Sequence, residues 1–338
     1  MSTRRFLRPL TLCCAALLVA CADEHSAVPS LAPEFSSQGV SAASSASRFY
    51  QQRNLVSDGA APADLLDTNL VNAWGLVSGP TTPWWISDNG KGRSTLYSVG
   101  SGTIPLVVRV PGAMGQPAAP TGVVFNGGTG FVVNNGAGTG PARFIFASED
   151  GTISGFRGVP VVIAVDNSAS GAVYKGIAID NATAGTLLYA SNFHAGTVDV
   201  FDDHFIPVHL TGSFTDPALP AGYAPFGIQN DSPWGLALAP ADFGSFSNDL
   251  LVGNFGNGRV HAFDPGGLEG NGEFQHRGSL QSAEGRPIAI DGLWALGFGK
   301  GAGNNGPTNT LFFTAGPDGE QHGLFGTLVA APPPRQQP

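Results

Sequence analysis

The fold of this chain is decided by the stretch Asp249-Leu-Leu-Val-Gly-Asn254-Phe-Gly-Asn-Gly258-Arg-Val-His-Ala-Phe-Asp264. Its first run is apolar and β-prone, and its middle is rich in glycine and asparagine, which tolerate positive φ. Its second run alternates, with Val260 and Ala262 on one face of a strand and polar or aromatic residues on the other. The stretch therefore predicts a β-hairpin whose turn lies at residues 255–258.

The same hairpin pattern occurs at residues 187–202 and 85–97. The matching Asx and glycine positions are Asp88 and Gly92, Asn192 and Gly196, and Asn254 and Gly258. Repetition of one supersecondary unit is typical of repeat architectures, in which each unit buries its apolar face against the next.

A second element precedes each hairpin, namely an aromatic or polar residue, a glycine and an apolar β-run. Its copies are Trp74-Gly75, Thr121-Gly122, Lys175-Gly176, Trp234-Gly235 and, more loosely, Asp291-Gly292. The successive glycines are 47 to 59 residues apart. Four strands per unit at this period predict an all-β fold, a β-propeller of four-stranded blades. A β-sandwich with accidental internal similarity is the alternative.

The blade count depends on a sixth copy, Pro225-Phe226-Gly227-Ile228, which stands only eight residues before Gly235. That interval has no room for a hairpin and an outer strand. We therefore predict five full blades, derived from a six-bladed parent with one blade reduced, and not a six-blade geometry with a gap. The last unit lacks an outer strand, and the β-run at residues 54–57 is predicted to pair there and close the ring.

Several motifs of the chain resemble a family of bacterial exported proteins of unknown function. They lie at residues 223–230, 232–244, 250–264, 290–299 and 311–326, and the resemblance extends from Asn54 to Leu328. The resemblance implies an NHL-like six-bladed β-propeller, in which a blade separates the Pro-Phe-Gly segment from the Pro-Trp-Gly segment. This chain departs from the family there by about one blade. The family carries no established catalytic residues, so the resemblance assigns none here.

The first 20 residues have the pattern of a signal peptide, with an arginine-rich start and a short apolar run. The run ends Leu18-Val-Ala-Cys21, which resembles a bacterial lipobox and predicts lipidation of Cys21; an ordinary secretory signal is the alternative. Residues 21–48 are then a Ser/Ala-rich tether, residues 49–330 the propeller domain and residues 331–338 a Pro-rich tail. We expect an envelope protein sorted to the outer membrane, or a secreted protein if Cys21 carries no lipid.

Charge and cysteine content limit the partners. Without residues 1–20 the chain has 13 basic and 25 acidic residues, a net charge of −12, which disfavours nucleic acid as a partner. Membrane contact is expected through the lipid anchor alone. All three cysteines lie in the first 21 residues, so the domain has no disulfide and no cysteine metal site. The expected partner is a small molecule, a glycan or an envelope protein.

The candidate ligand-binding residues belong to one predicted mouth of the propeller. They are Asp88, Asn192, His194, Asn254, Asp291, Trp74, Trp234 and Trp294. The Asx side chains at the turns would either coordinate a cation or sugar, or cap local backbone N–H groups as Asx-turns. The tryptophans would form an aromatic surface for a glycan or pack one blade on the next, and His194 would reach the mouth or face solvent.

The sequence favours a binding module over an enzyme. We predict no cofactor and no metal centre, because only Asp291 among the inner-strand positions is a carboxylate and a calcium site needs several oxygens. Calcium is the one cation that the sequence leaves open as a ligand. No Gly-x-Ser-x-Gly motif is present. A propeller enzyme of hydrolase type, acting on a small or sugar-like substrate at the axial mouth, is the alternative.

Overall fold

The computed structural model describes residues 49–182, 185–210, 233–268 and 274–332. The predicted signal peptide, Cys21, the tether and residues 223–230 lie outside the described residues, as does nearly all of the predicted tail. Among the described residues, no helix is long and apolar enough to cross a membrane.

Twenty-two strands make up nearly all the regular structure described. The chain begins with β1 (Phe49–Ser57) and β2 (Leu65–Leu66). Blade one comprises β3 (Ala73–Val77), β4 (Trp84–Asp88), β5 (Arg93–Ser98) and β6 (Gly102–Arg109). Blade two comprises β7 (Pro120–Phe125), an inserted hairpin of β8 (Val132–Asn134) and β9 (Thr139–Pro141), then β10 (Phe144–Ser148), β11 (Thr152–Phe156) and β12 (Val162–Asp166).

The remaining three blades follow in chain order. Blade three comprises β13 (Tyr174–Ala182), β14 (Gly185–Asn192) and β15 (Thr197–Phe201). Blade four comprises β16 (Pro233–Leu238), β17 (Leu250–Asn254), β18 (Val260–Leu268) and β19 (Phe274–Ser279). Blade five comprises β20 (Leu293–Phe298), β21 (Leu311–Ala315), the helical turn α1 (Pro317–Glu320) and β22 (Leu324–Ala331). Short 3-10 turns lie at Asn89–Lys91, Ala113–Gly115, Ser168–Ser170 and Gly244–Phe246.

The fold is a β-propeller with five blades of antiparallel strands, as the sequence predicts. In blades one to four the strands run outward in chain order from the inner strand, for example β16–β17–β18–β19. Blade three has three described strands, and an outer segment begins beyond them, because the Val208 N–H donates to the Val200 carbonyl at 2.8 Å. The inner strands pack side by side in the order β16, β20, β3, β7 and β13.

The N-terminal strand supplies the outer strand of the last blade. β1 pairs antiparallel with β22, and Gln51 lies opposite Val329 and Asn54 opposite Gly326. β2 adds a short parallel edge beyond it, in which Leu66 lies opposite Ser57. The predicted joining of the two ends of the chain is confirmed, and the pairing covers an edge that blade five would otherwise expose.

The hairpin predicted at residues 249–264 is present in the structure. β17 ends at Asn254, β18 begins at Val260, and Gly258 has φ +68°. Val260 and Ala262 are buried, whereas His261 and Phe263 lie on the opposite face. A Cβ at Gly258 would lie 2.3 Å from the Ile290 carbonyl oxygen, so the turn fits closely against the segment leading to the next blade.

The core is divided among the interfaces between blades. Four buried apolar clusters lie between blades four and five, five and one, one and two, and two and three. Among the described residues, no comparable cluster joins blade three to blade four. Residues 211–232, which connect these two blades, contain the reduced sixth copy and lie outside the description. The short interval that carries the sixth copy of the motif therefore lies, in sequence, between blades three and four.

Candidate functional site

The turns that follow the second strand of each blade all lie at one end of the propeller. Strand pairing fixes this arrangement, because Ala73 lies opposite Asp88 and Tyr174 opposite Asn192. The start of every inner strand therefore lies beside the turn between the second and third strands of its own blade. We call this end, formed by the inner-strand starts and these turns, the turn mouth.

A lysine on the inner strand of blade three is the central charge of the turn mouth. The Lys175 ammonium pairs with the Glu149 carboxylate of blade two. Its Nζ lies 4.9 Å from the centroid of the Trp74 ring and 5.8 Å from that of Phe193. The Lys175 side chain is only 12 % exposed, so its charge is held by an anion and by aromatic faces more than by water.

A chain of amides and carboxylates continues from this ion pair around the axis. Asn89 Nδ2 donates to Glu149 Oε2 at 3.1 Å, and Asn72 Nδ2 donates to Asn89 Oδ1 at 3.1 Å. Asn72 Nδ2 also donates to Glu320 Oε2 at 3.0 Å, and its Oδ1 accepts from Trp294 Nε1 at 3.0 Å. Groups from blades one, two, three and five thus form one polar network, in which each hydrogen bond orients the next. We call Lys175, Glu149, Asn89, Asn72 and Glu320 the mouth network.

Backbone strain concentrates at the same place. Asn72, Asp318 and Glu320 all have positive φ, at 48°, 55° and 70°. Gly316 permits the approach of this turn, because a Cβ there would lie 2.5 Å from Asn72 Oδ1 and 2.9 Å from Trp294 Nε1. Non-glycine residues in this region of φ cost free energy and persist where surrounding contacts hold them, which is common at binding sites.

A histidine and three aspartates lie at the edge of the mouth on blade five. His322 Nδ1 is 2.8 Å from Asp58 Oδ2, and its Nε2 is 3.9 Å from Asp318 Oδ2. The Asp318 N–H donates to Asp291 Oδ2 at 2.9 Å. Asp58 directly follows β1, which we call the closure strand because its pairing with β22 joins the two ends of the chain. The Asp58–His322 pair therefore also links the closure strand to the turn mouth. A histidine oriented by a carboxylate in this way is equipped to accept or donate a proton at Nε2.

The aromatic candidates meet in the interior of the mouth. The Trp74 and Trp294 rings are 4.3 Å apart in an edge-to-face arrangement, and each residue is 2 % exposed. Phe255, in the hairpin turn of blade four, lies 4.3 Å from the Trp294 ring. Both tryptophan rings are therefore covered, and they support the mouth network from beneath. Trp234 is the second residue of β16, the inner strand of blade four, and its side chain lies outside the description.

The predicted Asx residues are divided between cap and interior. Asn192 Oδ1 accepts from the N–H groups of Val173 and Ala195, both at 3.3 Å. Asn254 Oδ1 accepts from the Asn257 N–H at 3.3 Å. These two side chains therefore act as Asx-turns, the alternative that the sequence left open. The exposed His194 lies in the turn between β14 and β15, and it is not a member of the mouth network.

Asp88 lies below the mouth, between blades five and one. Its Oδ1 accepts from the Thr95 hydroxyl at 3.2 Å, and its Oδ2 has no hydrogen-bond partner among the described residues. Burial raises the pKa of the Asp88 carboxyl well above its usual range, against the lowering effect of the Thr95 hydrogen bond. Nearby, the Tyr97 hydroxyl donates to Asp67 Oδ2 at 3.0 Å, and burial raises the pKa of this phenol too.

The mouth network is not among the residues predicted from the sequence. Lys175 stands there only as the first residue of the motif copy Lys175-Gly176. It was one of few charges in a chain with 12 % charged residues, and that scarcity was the available signal. Glu149 follows Ser148 in the blade-two turn, which lacks the Asx-x-x-x-Gly spacing. Asn72 and Glu320 lie 248 positions apart, and pattern alone does not pair them.

The described residues include one group of side chains with metal-ligand spacing, at Asp202, Asp203 and His204. It lies at the far end of β15 from the turn mouth. Asp202 Oδ1 already accepts from the N–H groups of His204 and Ile206 at 2.9 Å, and Asp203 Oδ1 lies 2.7 Å from His204 Nδ1. Three partly committed side chains fall short of the six to eight oxygens that calcium requires. At the mouth, the Lys175 ammonium opposes a cation.

Comparison with known proteins gives two uncharacterised relatives from one virus. No protein-family model matches the chain. An uncharacterised protein of Acanthamoeba polyphaga mimivirus is 26% identical over 323 residues, covering 78% of this chain and 81% of the viral protein. A second uncharacterised protein of the same virus is 25% identical over 333 residues, covering 81% of this chain and 78% of its own length.

Solved structures with similar architecture include two propeller proteins. Regucalcin of Agrobacterium tumefaciens, described as a calcium-binding protein, is 12% identical, with a TM-score of 0.41 over 79% of this chain and 94% of its own. A luciferin-regenerating enzyme is also 12% identical, with a TM-score of 0.39 over 77% of this chain and 91% of its own. These similarities concern the fold alone.

Proposed function

We propose that this chain is a lipid-anchored β-propeller of the bacterial cell envelope that binds a small polar ligand, of sugar-like chemistry, at the turn mouth. The observation that carries the proposal is the mouth network, which joins four blades through one cation, two carboxylates and two amides. Such a set offers donors and acceptors together. A ligand rich in hydroxyl groups uses both, whereas a simple ion uses one kind.

The surroundings of the network support a neutral or weakly charged ligand. Lys175 and Glu149 neutralise each other, so the Glu320 carboxylate is the remaining charge of the mouth network and it disfavours an anionic ligand. Glu149 is 32 % exposed as a side chain, and Phe193 is 38 % exposed, so a polar group and an aromatic face are both open to solvent. A sugar can present its hydroxyl groups to the Glu149 carboxylate and an apolar face of C–H groups to the Phe193 ring.

A glycan and metabolite binding screen on the purified protein, repeated with Lys175→Met, tests the proposal. Methionine keeps the length and apolar stem of lysine but removes the charge, so we expect at least tenfold weaker binding, about 1.4 kcal/mol. Lys300→Met is the matched control, because Lys300 is exposed and remote from the mouth network.

Folding and binding must be separated in this comparison. Lys175→Met leaves Glu149 without its cation, so the double variant Lys175→Met/Glu149→Gln restores local neutrality and should melt close to the wild type. Loss of binding in a normally melting double variant supports the mouth as the site. Binding that is equal in wild type, Lys300→Met and the double variant would place the ligand elsewhere.

One observation favours a second candidate, a hydrolase-type enzyme with the same mouth. The Asp58–His322 pair provides an oriented imidazole within 3.9 Å of a second carboxylate, which is the arrangement that proton transfer requires. Turnover of any ligand found in the screen decides between the two functions. An enzyme should lose at least a hundredfold in kcat on His322→Gln with little change in ligand affinity, whereas a binding module shows no turnover to lose.

A further inference from the structure

Blade one carries a pocket that has no part in the mouth network. It is lined by Lys91, Gly92, Arg93, Val107, Arg109 and Pro117, and its volume is about 350 Å³. The pocket lies at the outer part of the blade, where the turn before β5 meets the end of β6 and the loop that follows. Its size suits a small ligand.

Two arginines face each other in this pocket across a pair of strands. Arg93 on β5 and Arg109 on β6 are direct register partners. Like charges in directly opposed positions destabilise a sheet, because their side chains are neighbours on one face. Lys91 adds a third cation two residues before Arg93. A chain with 16 basic and 25 acidic residues thus places three of its cations around one cavity.

The nearest carboxylate to this cluster in the strand register is that of Asp88, opposite Arg93, and burial raises its pKa well above the usual range of an aspartate. Among the described residues, none of Lys91, Arg93 and Arg109 forms an ion pair. The Arg93 guanidinium donates to the neutral Asn69 Oδ1 at 2.5 Å, and Asn69 Nδ2 in turn donates to Asp67 Oδ1 at 2.9 Å. These two hydrogen bonds orient the Arg93 side chain. The other N–H donors of Arg93, and the guanidinium of Arg109, are left to bind a ligand.

The pocket walls are built closely enough to define a site. Gly92 has φ +64°, and a Cβ there would lie 2.7 Å from the Ala118 carbonyl oxygen and 2.9 Å from Pro117 Cβ. Only glycine therefore allows the turn to approach this wall. Val107 and Pro117 add apolar atoms to the wall, while Lys91, Arg93 and Arg109 are exposed, so the three cations are accessible to a ligand from solvent.

We propose that this pocket is a binding site for a phosphate-type oxyanion. Two guanidinium groups present paired N–H donors that match the oxygens of a phosphate group, and the ammonium supplies a further charge. A bound dianion would convert the repulsion between Arg93 and Arg109 into attraction. The phosphate group could belong to a free small molecule or to a lipid headgroup, because the same contacts recognise both.

Titration of the full-length protein with inorganic phosphate tests the site. We expect saturable binding in the wild type and at least tenfold weaker binding in Arg109→Gln, with a larger loss in Lys91→Gln/Arg109→Gln. Lys300→Gln removes the same charge from a remote exposed position and should bind phosphate as the wild type does. Without phosphate, Arg109→Gln should melt at or above the wild-type temperature, because the variant relieves repulsion.

A vesicle arm identifies the source of the phosphate group. Co-sedimentation with phosphatidylglycerol vesicles, against phosphatidylcholine vesicles, is measured in a Cys21→Ala background so that any lipid anchor does not contribute. Selective binding that is lost in Arg109→Gln supports a lipid headgroup, whereas phosphate binding without vesicle selectivity supports a free oxyanion. Absence of saturable phosphate binding, or equal binding by Arg109→Gln and Lys300→Gln, would overturn the site.

Discussion

Two glycines with the same backbone conformation allow the hairpin turn to be tested quantitatively. Gly258 and Gly196 both have φ +68° and occupy the same position in their hairpins. A Cβ at Gly196 would have no described atom within 4 Å, whereas a Cβ at Gly258 would lie 2.3 Å from Ile290 O and 2.6 Å from Ile290 N. The pair Gly196→Ala and Gly258→Ala therefore separates backbone strain from close packing between blades.

The expected destabilisation follows from these contacts. An alanine in the left-handed region costs roughly 1–2 kcal/mol, which is the whole effect expected for Gly196→Ala. Gly258→Ala must also displace the Ile290 backbone, whose N–H donates to the Gly258 carbonyl at 2.8 Å. Overpacking of this kind costs about 1–3 kcal/mol more, giving roughly 2–5 kcal/mol in all.

Denaturant unfolding of wild type and both variants, followed by far-UV circular dichroism, measures this difference. At this chain length 1 kcal/mol corresponds to a shift of roughly 2 °C in melting temperature, so a parallel thermal scan should separate the variants by several degrees. Equal losses for the two variants would refute the close approach of the Gly258 turn to Ile290. No loss for either would refute the hairpin turns themselves.

Three further outcomes are expected. Burial raises the pKa of Asp88, so the free energy of unfolding should fall as pH rises from about 4 toward the folded-state pKa. In pH-dependent denaturation, the Asp88→Asn variant should lose this slope. The control Asp180→Asn, at an exposed position, should keep it. Burial, with the neighbouring His276, lowers the pKa of His261, so stability should fall as pH drops below about 6.5; a His261→Gln variant with an unchanged pH profile would count against this. Cys21→Ala should move the protein from the membrane fraction to the soluble fraction, and unchanged partitioning would exclude the lipid anchor.

The blade repeat could be predicted because its determinants are local in sequence. Alternation in β17 and β18, the Asx-turn at Asn254 and the positive φ at Gly258 are all set within 16 residues. Closure by β1 was also predictable, because an unpaired β-run and a blade lacking one strand are both visible in the sequence. The five-blade count depended on one short interval before Gly235, and the architecture agrees with it.

The mouth network could not be predicted in the same way, because its members are brought together by closure of the ring. Asn72 and Glu320 lie 248 positions apart and meet where blade one packs against blade five. Lys175 and Glu149 belong to different blades, and their contact depends on packing of β13 against β7. Asp88 shows that a matching position in the repeat does not predict the environment of the side chain. It occupies the same hairpin position as Asn192 and Asn254, but its side chain faces the interior. Equivalent positions share a backbone, but not a side-chain environment.

The closure strand and the turn mouth are physically connected, which bears on how the mouth keeps its shape. Asp58, at the end of β1, holds His322, and His322 precedes β22 and follows the strained turn at Asp318 and Glu320. The Asn72 N–H donates to the His322 carbonyl at 2.9 Å, so the same turn is fixed from blade one. Strain at Glu320 persists only while both attachments hold. Pairing of the chain ends therefore does more than cover an edge, because it sets the position of a carboxylate in the mouth network.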